Sequence, residues 1–420
     1  MGTPERMRVL TALVAVFACA CAVTTGPASA ASDVKFGIQD DAWLENGPGR
    51  IATRVRTLKD LGLSVVRVTI DWDETEPEPG DYDWSRPDRL LGALHRQGLD
   101  PVVTLWGTPG WASTSGRPNA PPTRGSDVER FARAIASRYR YVRYWLVWNE
   151  PNKRQWLNPV SPTLYTARLL NPAYAGIKSA SPLAKVGGGV TAPRGGQGGM
   201  TPVDFIRGMA RAHAHLDAYA HNPYSVYPGA TPYTGGCSCK VITMADLGRL
   251  LSQVGRAFPR ARIWLSEYGY QTNPPDPYGV SYALQARYIG EAARRVFDAP
   301  KVDMLIQYLY RDEPDVARWQ SGLETVSGKA KPSMDAMMLP LAQVSRRGTR
   351  TAIWGQVRPG TGPREYALQR YTGSRWSTIG GVRETSARGY FKRVVSAGRG
   401  TFLRLLDPVR GVSSPSLVVR

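Results

Sequence analysis

The chain has 420 residues, 42% of them hydrophobic, and a formal net charge of +20 at pH 7. The length exceeds that of a usual single domain and suits a large domain followed by a smaller one. The charge alone would admit a nucleic-acid binder, but no nucleic-acid motif is present, and beyond residue 30 no stretch is long and apolar enough to span a membrane.

At the start, Arg6 and Arg8 precede an apolar run over residues 9–23, and Ala28-Ser29-Ala30 forms a small-residue cleavage signal. This pattern is that of a secretory signal peptide, residues 1–30. It predicts a secreted, extracellular protein, either free or associated with the cell wall. Cys19 and Cys21 fall inside this peptide, and Phe17 is too large for a lipoprotein anchor at Cys19. The mature chain then holds two cysteines, Cys237 and Cys239, after Gly235 and Gly236. In an oxidising compartment they could close a small strained disulfide loop or remain free thiols. A metal site would need more ligands than this stretch supplies.

Residues 34–38 read as a first short strand, followed by Gln39, Asp40 and Asp41. A helix over 51–61 ends at Gly62. Residues 64–72 form a β-branched strand interrupted by Arg67, and a buried Arg must be paired. A loop rich in Pro and Gly leads to a helix over 88–97. The third strand, 100–106, ends in Trp106, and Trp111 follows it. Either indole face suits the apolar face of a pyranose ring, and either also suits core packing. Ser126 and Glu129 are spaced as a capping box before a helix.

The fourth strand is the stretch around which the chain is organised: Tyr144-Trp145-Leu146-Val147-Trp148-Asn149-Glu150-Pro151. An apolar strand that ends by pushing an amide and a carboxylate together is costly unless they work at a barrel mouth. A helix over 163–178 should break or kink at Pro172. A glycine-rich strand covers 185–190, and a sixth, 217–224, ends with His221 and Tyr224. Helices over 205–213 and 244–257 flank that strand. The seventh strand, Arg262-Ile263-Trp264-Leu265-Ser266-Glu267-Tyr268-Gly269-Tyr270, again ends in a carboxylate. After a helix over 280–297, the eighth, 304–310, carries Tyr308 and Tyr310. Eight strands alternating with helices predict a (β/α)8 TIM barrel over residues 31–343. Two strand-end glutamates far apart in sequence suit glycoside hydrolysis, in which two carboxylates flank one bond.

Trp148-Asn149-Glu150-Pro151 and Ser266-Glu267-Tyr268-Gly269 together resemble clan A of the glycoside hydrolases, in particular families 39 and 5, including bacterial exopolysaccharide glycosidases. The resemblance covers roughly residues 33–340. Gly80-Asp81-Tyr82-Asp83-Trp84 and Gly107-Thr108-Pro109-Gly110-Trp111-Ala112 add to the likeness with family 39. It implies a retaining glycosidase acting on a poly- or oligosaccharide, with Glu150 as acid/base and Glu267 as nucleophile. It further implies that Asn149 binds the sugar hydroxyl beside the anomeric carbon and that Arg67 lies against the nucleophile. Trp106, Trp111 and Tyr308 become substrate contacts, and His221 or Tyr224 contacts Glu267. The spacing of His221 and Tyr224 is one residue longer than the family's His-x-Tyr. Where these families place a Trp after the eighth strand, this chain has Tyr308 and Tyr310, with Trp319 further on. No metal or organic cofactor is implied. A barrel that binds glycan or envelope without cleaving it is the alternative.

From about Arg347 the pattern changes to short alternating strands with glycine-rich turns, at 351–357, 365–371, 389–395 and 401–405. These predict a small all-β sandwich over residues 344–420. Residues 341–420 hold fifteen Lys or Arg and three acidic residues, a net of +12. An acidic cell-envelope polymer or an anionic lipid surface is the natural partner of such a surface.

Overall fold

The computed structural model describes residues 34–227, 229–235 and 240–420. The expected signal peptide, residues 1–30, and Cys237 and Cys239 therefore lie outside the described residues. Eight parallel strands close into a barrel in sequence order: β1 (Lys35–Gln39), β2 (Val65–Asp71), β3 (Asp100–Trp106), β4 (Tyr144–Val147), β5 (Lys185–Thr191), β6 (Ala218–His221), β7 (Arg262–Tyr268) and β8 (Val302–Tyr308). β8 closes the ring by pairing with β1, Phe36 opposite Leu305.

The two-residue period of the strands divides the side chains. Val65, Val102, Leu146, Ala218, Ala220 and Trp264 pack inside the ring. Their neighbours Val66, Val103, Trp145, Tyr219 and Ile263 point outward into the layer beneath the helices. The interior is therefore a filled core, and chemistry is confined to the rim where strands end.

Two helices depart from the sequence-based expectation. The expected capping box at Ser126 does not form: the helix Gly125–Arg138 begins earlier, with Arg124 at its N-cap and no side-chain cap hydrogen bond. Asp127 instead pairs with Arg124 and Arg130, at 3.2 and 3.0 Å. Its carboxylate sits near the positive end of the helix dipole, which is where it is most useful. The break expected at Pro172 is a widened π-type turn over Tyr165–Leu170, after which the α-helix resumes at Asn171–Ala180. Pro172 lacks the N–H that a continuous α-helix would need there.

After the barrel come nine antiparallel strands: β9 (Leu341–Arg347), β10 (Arg350–Gln356), β11 (Glu365–Tyr371), β12 (Trp376–Thr378), β13 (Arg383–Glu384), β14 (Tyr390–Ser396), β15 (Phe402–Asp407), β16 (Val412–Ser413) and β17 (Leu417–Val418). One sheet runs β14-β10-β9, and the other is built on β12-β11-β15-β16. Their shared interior includes Ile353, Leu368, Phe391, Leu403 and Leu405. The expected boundary between residues 343 and 344 cuts through β9. Its opening residues Leu341 and Ala342 are buried and directly follow Pro340 at a helix end, so alternation becomes visible too late to mark the start.

The tail is docked against the barrel. Phe297, the last residue of helix Tyr282–Phe297, packs on Trp354 at 5.5 Å and on Tyr390 at 4.5 Å between ring centres. The Arg358 guanidinium lies 3.6 Å over the Phe36 ring, at the start of β1. A Cβ on Gly62, just before β2, would come within 2.7 Å of Arg358. The tail therefore packs at the base of the barrel, where strands begin, and along helix Tyr282–Phe297, where Gly290 meets Leu341 and Ala286 lies near Ser416. Because Trp354 belongs to a core shared by both parts, Trp354→Ala should destabilise the whole chain by about 3–5 kcal/mol. Urea unfolding followed by barrel tryptophan fluorescence tests this. A barrel transition that stays at its wild-type midpoint would show that the two cores are independent.

Candidate active site

β4 ends at Val147, and the residues after it turn sharply. Trp148 and Glu150 both have positive φ, 74° and 39°, a region that side chains rarely adopt. Two backbone hydrogen bonds hold the turn: Trp148 N–H donates to the Leu105 carbonyl at 2.8 Å, and Glu150 N–H to the Val190 carbonyl at 2.9 Å. The Trp148 indole is buried outside the ring and donates to the Trp156 carbonyl at 2.7 Å. The reversal lets Trp148 stay in the outer core while Asn149 and Glu150 join the site at the rim.

Glu267, near the end of β7, is 7% exposed. Its Oε1 accepts from Arg67 Nη1 at 2.5 Å, and its Oε2 accepts from the Tyr224 hydroxyl at 3.0 Å. Arg67, 1% exposed on β2, spends its remaining donors on Asn149 Oδ1 (3.0 Å), the Ser266 carbonyl (3.1 Å) and Thr104 Oγ1 (2.9 Å). Glu150 is held from its other side. Asn222 Nδ2 donates to Oε1 at 3.2 Å, and Lys153 Nζ lies 3.1 Å from Oε2. Ser266 Oγ donates to Asn222 Oδ1 at 2.7 Å. The two glutamates thus belong to one continuous network through Asn222, Ser266 and Arg67.

Burial pushes the Glu267 carboxyl above the ordinary carboxylate range, opposed by Arg67 and reinforced by the charge of Glu150. Burial and the neighbouring Glu267 charge hold the Tyr224 hydroxyl well above its ordinary value, so it stays a donor. Tyr224, Tyr308 and Trp319 form an aromatic wall beside Glu267. The centroid of the Tyr224 ring is 4.7 Å from Trp319 and 6.3 Å from Tyr308, and Tyr308 is 5.5 Å from Trp319. A cavity of about 370 Å³ continues from this wall, lined by Tyr224, Trp319, Arg194, Tyr227, Tyr270 and Tyr278 among others. Among the described residues no group of three or more His, Cys, Asp or Glu could hold a metal ion.

Of the residues expected from the sequence, Arg67, Asn149, Glu150, Tyr224, Glu267 and Tyr308 come together at this rim. Trp106 lies beside Trp148 and Trp156, at 5.8 and 5.6 Å, and its buried indole N–H has no protein partner. Trp111 is half-buried away from that wall, against Trp72 at 5.8 Å: its N–H donates to the Glu76 carbonyl at 3.0 Å, and Arg130 lies 5.6 Å over its ring. His221 is elsewhere, which corrects the expectation. It is fully buried outside the ring, with Nε2 2.9 Å from the Ile242 carbonyl and Nδ1 2.9 Å from Thr191 Oγ1. Neither nitrogen is left for Glu267 or a sugar. The residue that takes the inward position is Asn222, and the signal was there. Ala218, Ala220 and Asn222 alternate on one face, Tyr219 and His221 on the other. Ser266, inside the motif of the seventh strand, and Lys153 and Thr104 also join the network, and nothing in the local sequence of Lys153 or Thr104 distinguishes them from ordinary turn and strand residues.

A profile of glycoside hydrolase family 42, described as β-galactosidase, matches residues 41–124. That stretch carries Arg67 and ends before either glutamate. No curated protein matches the chain in sequence. Among solved structures, a family 39 glycoside hydrolase from Bacteroides cellulosilyticus WH2 is similar with a TM-score of 0.62 at 16% identity, over 88% of this chain and 82% of that one. A glucosidase from Croceicoccus marinus is similar at 0.58 and 13% identity, over 90% of this chain and 95% of that one. GH5_18 from Streptomyces cattleya, solved with GlcNAc, is similar at 0.56 and 19% identity, over 73% and 79%. The resemblance is thus to clan A glycoside hydrolases. The chain has a TIM-barrel fold followed by an all-β domain, and the solved structures it resembles are glycosidases.

Two outcomes follow from the site. Arg67→Met strands a buried carboxylate, so it should cost about 3–5 kcal/mol of stability. It should also move the acid limb of the kcat/KM profile to higher pH, because Glu267 loses the cation that favours its ionised form. An unmoved acid limb would mean that Arg67 does not govern Glu267. His221 gives a second test. Burial lowers its pKa to about 4 from an ordinary 6.5. The unfolded chain therefore binds a proton that the native chain refuses between those values, and stability should fall as pH drops from 6.5 to 4, by about 3 kcal/mol in all. His221→Gln should flatten that part of the stability–pH curve measured by urea unfolding; an unchanged slope would assign the acid sensitivity to other groups.

Proposed function

We propose that the protein is a secreted, retaining glycoside hydrolase that cleaves O-glycosidic bonds of a poly- or oligosaccharide by double displacement. The observation that carries this reading is the division of labour between two buried glutamates in one network. Glu267 is held by a guanidinium and a phenol, both of which donate to it, and so is kept as an ionised nucleophile. Glu150 sits at the opposite end of the network and supplies and recovers the proton.

In the first step Glu267 attacks the anomeric carbon and the C–O bond to the leaving group breaks. Glu150 protonates that leaving oxygen, and a glycosyl ester forms on Glu267. In the second step Glu150, now a carboxylate, takes a proton from water as the water displaces Glu267. Tyr224 and Arg67 receive the negative charge as it returns to the nucleophile. Asn149 gives its carbonyl to Arg67, leaving its amide NH2 to donate to a sugar hydroxyl. Tyr308 and Trp319 offer apolar ring faces to the sugar. Export rests on the pattern of residues 1–30, and an acidic envelope polymer is the partner suggested by the charge of residues 341–420.

The test compares two variants on substrates with good and poor leaving groups. Glu150→Ala should retain glycosylation by a dinitrophenyl glycoside, lose roughly 10²–10⁴-fold on a poor leaving group, and be accelerated by azide. Glu267→Ala should be inactive by the normal route on every leaving group. Proton NMR of the first-formed product should show retained anomeric configuration. Inversion, or the leaving-group dependence appearing in Glu267→Ala, would reverse or remove the assignment.

A further inference from the structure

The cavity of about 370 Å³ that continues from the aromatic wall is set apart by its charge. At its inner side are Trp319 and Tyr224, and the Tyr224 hydroxyl donates to Glu267 at 3.0 Å. Segments after β5, β6 and β7 bring Arg194, Tyr227 and Tyr278 to it. Arg194 is the one charged side chain among its described lining residues. It is exposed, and among the described residues its guanidinium has no hydrogen bond and no ion pair. Its backbone is nonetheless fixed on the N-terminal side. Ala192 N–H donates to Asn152 Oδ1 at 2.8 Å, and the Pro193 carbonyl accepts from Ile242 N–H at 2.9 Å. The Tyr278 loop is tied in the same way, with Tyr278 N–H donating to Asp276 Oδ1 at 2.8 Å and Val280 N–H to the Gln271 carbonyl at 2.8 Å. Tyr278 is 87% exposed and Tyr227 is 42% exposed. The carboxylates of this rim already have cations: Glu267 has Arg67, Glu150 has Lys153 and Glu313 has Arg318.

We propose that this cavity is a subsite for a uronic acid unit of the substrate chain, whose carboxylate pairs with Arg194. The planar guanidinium fork matches a carboxylate in two parallel hydrogen bonds. The exposed tyrosine rings suit the apolar face of a pyranose. The volume is within the range of about 300–1,000 Å³ usual for small-ligand sites. A neutral sugar would use the rings and leave Arg194 unmatched, and an amino sugar would set a second cation against it. The inference rests on the glycosidase reading for its choice of a sugar. It narrows the substrate class to an acidic polysaccharide with a uronate beside the unit attacked by Glu267.

Titration of the full chain with oligosaccharides of galacturonate, mannuronate and glucuronate tests this, read by tryptophan fluorescence, since Trp319 lines the cavity. Each is paired with its carboxyl-reduced form, which keeps linkage and ring and removes only the charge. At least one uronate should bind about tenfold or more tightly than its reduced form, the size of a charge-assisted hydrogen bond. Arg194→Gln should lower uronate binding to the level of the reduced form. Arg375→Gln, at an exposed tail position, removes the same charge elsewhere and should keep the preference. Tyr278→Ala should weaken both forms together. Melting curves confirm that each variant is folded. Reduced forms that bind as tightly as the uronates overturn the subsite, as does a folded Arg194→Gln that keeps the preference, or a wild type that binds no uronate. A uronate preference lost in Arg194→Gln, in a chain that hydrolyses no glycoside, would count against the catalytic reading and leave the subsite standing. Hydrolysis of glycosides with no such preference would overturn the subsite alone.

Discussion

A single guanidinium sets the geometry of the rim. Arg67 stands on β2 and bonds to Thr104 on β3, Asn149 after β4, and Ser266 and Glu267 on β7. A cation buried to this depth is intolerable without a counter-charge, and so is the carboxylate it meets. Each makes the other tolerable, and the flat fork of guanidinium donors fixes the angle between them. A lysine could neutralise Glu267 but could not reach four partners in one plane. The residue read as the nucleophile is therefore also part of what holds four barrel strands at a common height.

The opposite glutamate is positioned by other means. Glu150 stands on backbone bent into a region that costs energy for a non-glycine residue. Neighbouring strands over-determine that bend: Leu105 accepts from Trp148 and Val190 accepts from Glu150. Tyr165, in the π-type turn, completes the support by donating to the Val147 carbonyl at 2.7 Å and accepting from Gly189 N–H at 3.0 Å. Glu267 is thus held by a buried guanidinium, and Glu150 by strained backbone together with Lys153, with Asn222 and Ser266 joining the two.

The features readable from sequence were those written in residue type and period. The eight strands, the paired glutamates, the buried Arg67 and the tail strands all leave local marks. The direction of a side chain at a strand end leaves a weaker one. His221 drew attention as a chemically versatile residue, yet the alternation of Ala218 and Ala220 already assigned the inward position to Asn222. Trp148 escaped for the opposite reason, since its positive φ breaks the alternation that would have located it. The contact between Phe297 and Trp354 could not be read at all. It joins residues far apart in sequence, and each looks locally like an ordinary core position.

The placement of the tail divides what this chain can inherit from what it can alter. Its inward side, Trp354, Tyr390 and Arg358, is interlocked with the foundation of the barrel and must change in concert with it. Its outward side touches neither the foundation nor the rim. Substitutions there are uncoupled from the packing of the barrel, so that face can change in shape and charge while the geometry around Glu150 and Glu267 stays as it is.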